Sequence, residues 1–249
     1  METLFITPRY DNDEFESYLG ASINNIKTKC VNVADSKDSS ELKSISMKYN
    51  IGIDIIKDKH LLNESTIVVL AKPNIHIIDP LFVDKISMIF TDTPNVGVVG
   101  VVGVKELHSG RDLYSIDNSP LNSIIYTIDK ENDKGEHVQY SKSGFYDNVV
   151  AIDDSIIAIR GSMLLNNDFS FECDSSIGFG IEIAIKAIKY GYDVTVADIL
   201  VVSSTHTNVS HDIVDDMVQL TNAKYPINIK TLGKHINSII DIDLGGLWI

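Results

Sequence analysis

Glu182 is the single acid in the apolar run Phe179-Gly180-Ile181-Glu182-Ile183-Ala184-Ile185. A carboxylate among such neighbours costs free energy unless it is partnered or reaches water. A partly buried carboxylate also has its pKa raised towards the range in which it can take a proton from a hydroxyl. The competing reading is a solvated acid on the polar side of an amphipathic helix. Asp35 follows the apolar stretch Cys30-Val31-Asn32-Val33-Ala34. There it could accept hydrogen bonds from a uracil N–H or a ribose hydroxyl, or simply cap the next helix. Lys72-Pro73-Asn74 follows Ile67-Val68-Val69-Leu70-Ala71 and offers a cation and an amide carbonyl. The glycines of Val96 to Val104 are spaced GxxGxxG, which is not a dinucleotide or P-loop fingerprint, so they read as close backbone packing. No GxSxG, HExxH or Cys–His pairing occurs, so hydrolase and kinase chemistry start without support.

The elements that must position these residues are legible from periodicity. Leu4-Phe5-Ile6-Thr7 predicts a buried first strand, and Phe15, Tyr18, Leu19, Ile23 and Ile26 predict a helix after it. Cys30–Ala34 predicts a second strand, and a serine-rich, acid-bearing loop leads into a helix through Leu42, Ile45 and Met47. Ile67–Ala71 reads as a central strand buried on both faces, and Pro80 opens a helix through Leu81, Val83, Ile86 and Ile89. Val96–Val104 and Val149–Ile159 read as strands and Phe179–Tyr190 as a helix. Val194–Val196 and Ile199–Val202 are expected to finish the sheet. Residues 106–147 read as a variable, partly extended insertion rather than a separate domain, and about 213–249 as a C-terminal extension. Strands alternating with helices imply a mostly parallel sheet. Ligands of such sheets bind at the carboxyl ends of the strands, which makes neighbours of Thr7-Pro8-Arg9, Asp35 and Lys72-Pro73-Asn74.

The chain has 249 residues, 44% hydrophobic and 22% charged, which suits one α/β domain and excludes a disordered chain. No apolar run reaches the roughly 18 to 20 residues that cross a bilayer, and the N-terminus lacks the layout of a secretion signal. Two cysteines, Cys30 and Cys173, form no metal spacing. A cytoplasmic, reducing setting is the expectation, in a host cell if the protein is viral. The net charge of −14, from 21 Lys plus Arg against 35 Asp plus Glu, disfavours a polyanionic partner without a local basic face.

Four blocks in order resemble a family. They are Phe5-Ile6-Thr7 with Phe15-Glu16-Ser17-Tyr18-Leu19; Val33-Ala34-Asp35-Ser36 with Lys48-Tyr49-Asn50-Ile51-Gly52; Val96 to Gly103; and Val150 to Asp154 running through Phe169-Ser170-Phe171-Glu172 and Phe179 to Tyr192 to His206. The set is similar to compact GT-A glycosyltransferases of the family-two-like "glycosyltransferase-like" group, over about residues 4–210. The resemblance implies an α/β fold of GT-A type, a single domain with a mostly parallel central sheet flanked by helices. It further implies transfer of a sugar from a nucleoside-diphosphate sugar, UDP-type foremost, to an acceptor hydroxyl. Glu182 would be the base, Thr7, Arg9, Asp35 and Asn50 would line the donor pocket, and Asp153 and Asp154 would contact the acceptor or donor sugar. A turn role for Asn50, and a tight turn at Asp153-Asp154, explain these residues equally well. His206 would contact a metal or phosphate.

The pattern departs from that family at one place. An Asp-x-Asp or His-x-Asp motif holding Mg²⁺ or Mn²⁺ is expected after the central strand, where this chain reads Lys72-Pro73-Asn74. Either Lys72 neutralises the diphosphate itself, assisted by Asn74, or the protein is a non-catalytic nucleotide-sugar binder. His76 and His206 are weak metal candidates, and Arg160 or Arg9 could add a phosphate contact. A nucleotidyltransferase ranks last, because the Gly-rich phosphate loop it needs is missing between Leu4 and Phe15. The acceptor stays open among a glycan precursor, a protein, a small molecule and a hydroxymethylated base in phage DNA.

Overall fold

Along β1 (Glu2–Arg9) the side chains alternate between two cores, Leu4 and Ile6 packing on one face of the sheet and Phe5 on the other. Period-two alternation with both faces apolar is what a strand sandwiched between helix layers requires. The computed structural model describes residues 1–9, 15–26, 28–34, 44–108, 110, 113, 120–122, 125–129, 134–138, 146–166, 169–173, 176–203, 212 and 215. After β1 come a π-helical turn (Glu16–Gly20), α1 (Ala21–Ile26), β2 (Lys29–Ala34), α2 (Ile45–Asp58), β3 (Thr66–Ala71), β4 (Ile75–Ile77) and α3 (Phe82–Asp92). β5 (Val96–Gly100), β6 (Val102–Val104), β7 (Pro120–Asn122), β8 (Ile125–Asp129), β9 (Lys134–Val138), β10 (Tyr146–Asn148) and β11 (Ala151–Ile152) follow. β12 (Ile156–Arg160), α4 (Gly161–Asn166), α5 (Phe179–Lys189), β13 (Asp193–Ala197) and β14 (Val201–Ser203) complete the described elements.

The central sheet has the order β10-β13-β5-β12-β3-β1-β2. β1, β2, β3, β5 and β13 run one way, and β12 and β10 run against them. This is the expected mostly parallel sheet. α2 and α5 bury Tyr49, Ile53, Ile56, Phe179, Ile181 and Ile183 on the Leu4 face, while α3 buries Phe82, Ile86, Ile89 and Phe90 on the Phe5 face. α2 starts where a serine can cap it, the Ser44 hydroxyl accepting the Met47 N–H.

Three expectations are corrected. The run Val96–Val104 is two strands in different sheets, β5 in the central sheet and β6 in a small sheet of order β11-β6-β7. Likewise β14 does not finish the central sheet but joins a third sheet, β4-β14-β8-β9. Val149–Ile159 is also divided, β11 pairing with β6 and β12 with β3 and β5. In each case a continuous apolar run conceals a change of partner, because both partners bury it equally well. The glycines do pack closely as expected. A Cβ at Gly97 would meet Tyr192, one at Gly100 would meet Ile152, and one at Gly103 would meet the Ala151 carbonyl and Val196. No helix among the described residues is long and apolar enough to cross a membrane.

Candidate active site

β12 runs antiparallel beside β3, with Ile156 opposite Ala71, so the residues just before β12 lie next to those just after β3. The Lys72 N–H donates to the Ser155 carbonyl (3.3 Å) and the Asp153 N–H to the Val102 carbonyl (3.0 Å). Three segments thus meet at the carboxyl edge of the parallel strands: 72–74 after β3, 101–102 after β5, and 153–155. Lys72, Asp153 and Asp154 are all buried there.

Each acid has a defined environment. Asp154 accepts the Gly178 N–H with Oδ2 and the Gly180 N–H with Oδ1, both at 2.6 Å, and so caps α5. Gly178 holds a left-handed conformation (φ 85°), open to glycine at little cost. Burial raises the Asp154 carboxyl above its ordinary range, against the opposing pull of Lys72 and of the two glycine N–H groups. Asp153 accepts the Ser155 hydroxyl (2.5 Å, Oδ2) and the Ser155 N–H (3.3 Å, Oδ1). Burial, with some help from Asp154, pushes its carboxyl up to about 6 although Ser155 and Lys72 hold it down. The Lys72 ammonium stands 3.9 Å from Asp154 Oδ2 and 5.5 Å from the centre of the Phe179 ring.

Of the other residues expected at this edge, Thr7 and Asn74 are described. Thr7 is buried near the end of β1, its hydroxyl donating to the Pro8 carbonyl (3.4 Å). Asn74 is buried and donates to the Ser203 hydroxyl (3.4 Å). Asp35, His206 and the side chain of Arg9 lie outside the described residues. His76 sits in β4 opposite Val202 of β14, and the described residues contain no group of three His, Cys, Asp or Glu able to hold a metal. The expected metal role of His76 therefore lacks companion ligands among them. Arg160 is also displaced from its expected phosphate role. It points to the opposite edge, pairing in register with Ile67, and donates to the carbonyls of Phe90, Thr93 and Val96 behind α3.

Glu182 and Asn50 meet in a different construction. The Glu182 side chain is fully buried. Its Oε1 accepts the Glu172 N–H (2.7 Å) and the Lys186 ammonium (2.6 Å), and its Oε2 accepts the Cys173 N–H (3.3 Å) and thiol (2.5 Å). An accessible base needs a lone pair facing substrate, and here four donors already converge on the carboxylate. Asn50 likewise spends both ends of its amide on the Phe171 backbone, at 2.8 and 2.7 Å. Ser46 donates to the Cys173 carbonyl and Lys186 to that of Ser170. α2 and α5 together clasp the segment 169–173 through Ser46, Asn50, Glu182 and Lys186. Lys186 and Ser46 were not singled out from sequence, although the i, i+4 spacing of Glu182 and Lys186 was a usable signal.

The sequence matches the model of the glycosyltransferase-like family over residues 4–227. The chain belongs to that family. Among solved structures it is similar to GalNAc-T7, determined with UDP, GalNAc and Mn²⁺. The TM-score is 0.52 at 8% identity, covering 95% of this chain and 54% of that one. The chain thus spans about half the length of that protein, and the likeness shows the fold, which is GT-A. A chain from Bacillus anthracis described as a glucose-1-phosphate thymidylyltransferase, in complex with a sucrose, overlaps less well (TM-score 0.36, 12% identity, 93% and 79% coverage). No curated protein matches.

For a glycosyltransferase-family chain of GT-A fold, a divalent cation at the carboxyl end of the central strand is the group to test. The described donor set here does not fit one. Hard cations take several oxygen ligands, whereas the position after β3 holds an ammonium. Asp154 is committed to the start of α5, and Asp153 spends one lone pair of each oxygen on Ser155, too few open carboxylate oxygens for a cation that takes several.

Proposed function

We propose that this glycosyltransferase-family chain moves a sugar from a nucleoside-diphosphate sugar, UDP-type foremost, to an acceptor hydroxyl. The observation that carries the reading is the rim itself: Lys72, Asp153 and Asp154 buried together at the carboxyl edge of the sheet, with α5 starting beside them. In this reading the acceptor oxygen bonds to the anomeric carbon as the bond to the diphosphate breaks. The bonding electrons leave with the diphosphate, whose developing charge the Lys72 ammonium offsets. Asp153 takes the hydroxyl proton, since a carboxyl with a pKa of about 6 is ionised yet basic near neutrality. Thr7, Arg9, Asp35, Asn74 and His206 belong to the donor side of the proposal. Glu182, the base expected from sequence, is assigned with Asn50 to positioning, because its four donors favour that role over proton transfer.

Incubation with a panel of UDP-, GDP-, ADP- and dTDP-sugars, scoring donor hydrolysis and transfer to simple glycosides, tests the reading. Turnover of one donor supports it. Binding without turnover under every metal condition would favour a non-catalytic nucleotide-sugar binder, the reading that Lys72 in place of an acid also suggests. The acceptor is proposed among a glycan precursor, a protein, a small molecule and a hydroxymethylated DNA base. The net charge of −14 weighs against the last, because DNA affinity rests on basic contacts to phosphates. A cytoplasmic setting belongs to the same proposal, Cys30 and Cys173 standing far apart in the sequence in no CxxC or metal-binding spacing.

A further inference from the structure

We infer that Lys72 takes the place of the divalent cation, so that this chain binds a nucleoside diphosphate without metal. The inference rests on the donor class proposed above and deepens it. Lys72 lies directly after the carboxyl end of β3, and the turn it opens is closed by the Ile75 N–H donating back to its carbonyl (3.3 Å). Its side chain is only 10% exposed, yet its ammonium makes no hydrogen bond to any described residue. The nearest carboxylate oxygen, on Asp154, is 3.9 Å away, beyond hydrogen-bond distance. An ammonium has three donors to satisfy, and the Asp154 carboxylate at 3.9 Å and the Phe179 ring satisfy them only in part.

The surroundings narrow what would complete it. The start of α5, where a helix commonly receives a phosphate, is closed by Asp154, whose two oxygens hold the Gly178 and Gly180 N–H groups. An anion arriving at this edge therefore finds the Lys72 donors rather than the helix end. The Phe179 ring beneath the ammonium, 5.5 Å from its centre, limits where the side chain can swing. Asp154 balances part of the charge while the site is empty, and its N–H contacts keep it from turning to chelate an ion. An ammonium in this position suits a diphosphate oxygen, which brings acceptors to its remaining donors.

The test is calorimetric titration of the full chain with UDP, GDP, ADP and dTDP and with the corresponding nucleosides, in EDTA and in Mn²⁺ or Mg²⁺. One diphosphate is expected to bind in EDTA within about twofold of its affinity with metal, as a protein-borne cation requires. Lys72→Met should weaken that diphosphate by about ten- to hundredfold and leave the nucleoside unchanged, the loss of charged hydrogen bonds. Lys72→Arg should retain most of the affinity. Binding that appears only with metal overturns the inference and leaves the donor class standing. So does a Lys72→Met chain that binds diphosphate like the parent. If no diphosphate binds under any condition, the proposed function falls with it. Should Lys72→Met not fold, the EDTA comparison on the unaltered chain decides alone.

Discussion

The Glu182 carboxylate stands 2.6 Å from the Lys186 ammonium, one turn apart along α5, and both side chains are almost entirely buried. An ion pair so enclosed adds little net stability over an apolar pair, but removing one partner strands the other charge. Loss of Glu182 would also release the Glu172 and Cys173 N–H groups that it holds, and would leave Lys186 with the Glu172 carboxylate at 3.2 Å.

Glu182→Ala is expected to cost about 3–5 kcal/mol, the usual effect of breaking a buried pair. Lys186→Met should cost a similar amount, and the double variant less than the sum of the two. Urea unfolding checks all three. If Glu182→Gln instead unfolds like the parent chain while losing about a thousandfold in kcat, Glu182 is the base after all.

Asp153 carries a pH signature. Its carboxyl rises from 3.8 to about 6 on folding, so between those values the folded chain keeps a proton that the unfolded chain releases. Stability therefore falls as pH rises through that window, and above it the ionised group costs about 3 kcal/mol, an order-of-magnitude figure. Asp153→Asn should raise the unfolding free energy at pH 7 by about 1–3 kcal/mol, with the gain shrinking towards pH 4. Turnover by the same variant should drop about 10²–10⁴-fold, and parent activity should decline below about pH 6. Unchanged turnover in Asp153→Asn would remove Asp153 from the chemistry.

Asp154→Ala takes away the acceptor for the Gly178 and Gly180 N–H groups. A lost N-cap costs about 0.5–2 kcal/mol, and Lys72 loses its nearest carboxylate besides. Hydrogen exchange should accelerate at the first turn of α5 while the amides of β3 stay protected. Equal acceleration in both would mean that the whole domain had loosened instead.

Gly180→Ala should be more damaging than Gly52→Ala. A Cβ at Gly180 runs into the backbone carbonyls of Asp153 and Ile152, which cannot move without shifting the rim. At Gly52 the obstacle is the Ile6 and Val33 side chains, which can partly yield. Overpacking costs about 1–3 kcal/mol, so Gly52→Ala should melt lower yet keep its turnover, whereas Gly180→Ala should lose turnover as well. Comparable activity in the two variants would contradict this.

Much of the scaffold was legible in local patterns. The β-branched run at Ile67–Ala71 lies in a central strand, the helix expected over Phe179–Tyr190 is α5 (Phe179–Lys189), and the glycines at 97, 100 and 103 pack closely, because burial and helical or strand period are local properties of the chain. The placement of Lys72 where an acid is expected could also be read directly. The Glu182 assignment was harder. An acid in an apolar helix must find partners, and whether those are a substrate hydroxyl or Lys186, Glu172 and Cys173 depends on a segment folded back from outside the helix.

Sequence alone therefore determined the layers of the fold and a cation after β3, and it raised the carboxyl edge as the expected place for a ligand. Tertiary structure decided the rest. It inserted β12 antiparallel between β3 and β5, which set Asp153 and Asp154 against Lys72 although they lie far along the chain. It moved β6 and β14 into separate sheets, and it closed the Glu182 carboxylate inside a clasp. The physical reason is that apolar pattern states only that a segment is buried, whereas strand partners and hydrogen-bond partners are chosen by the register of distant segments.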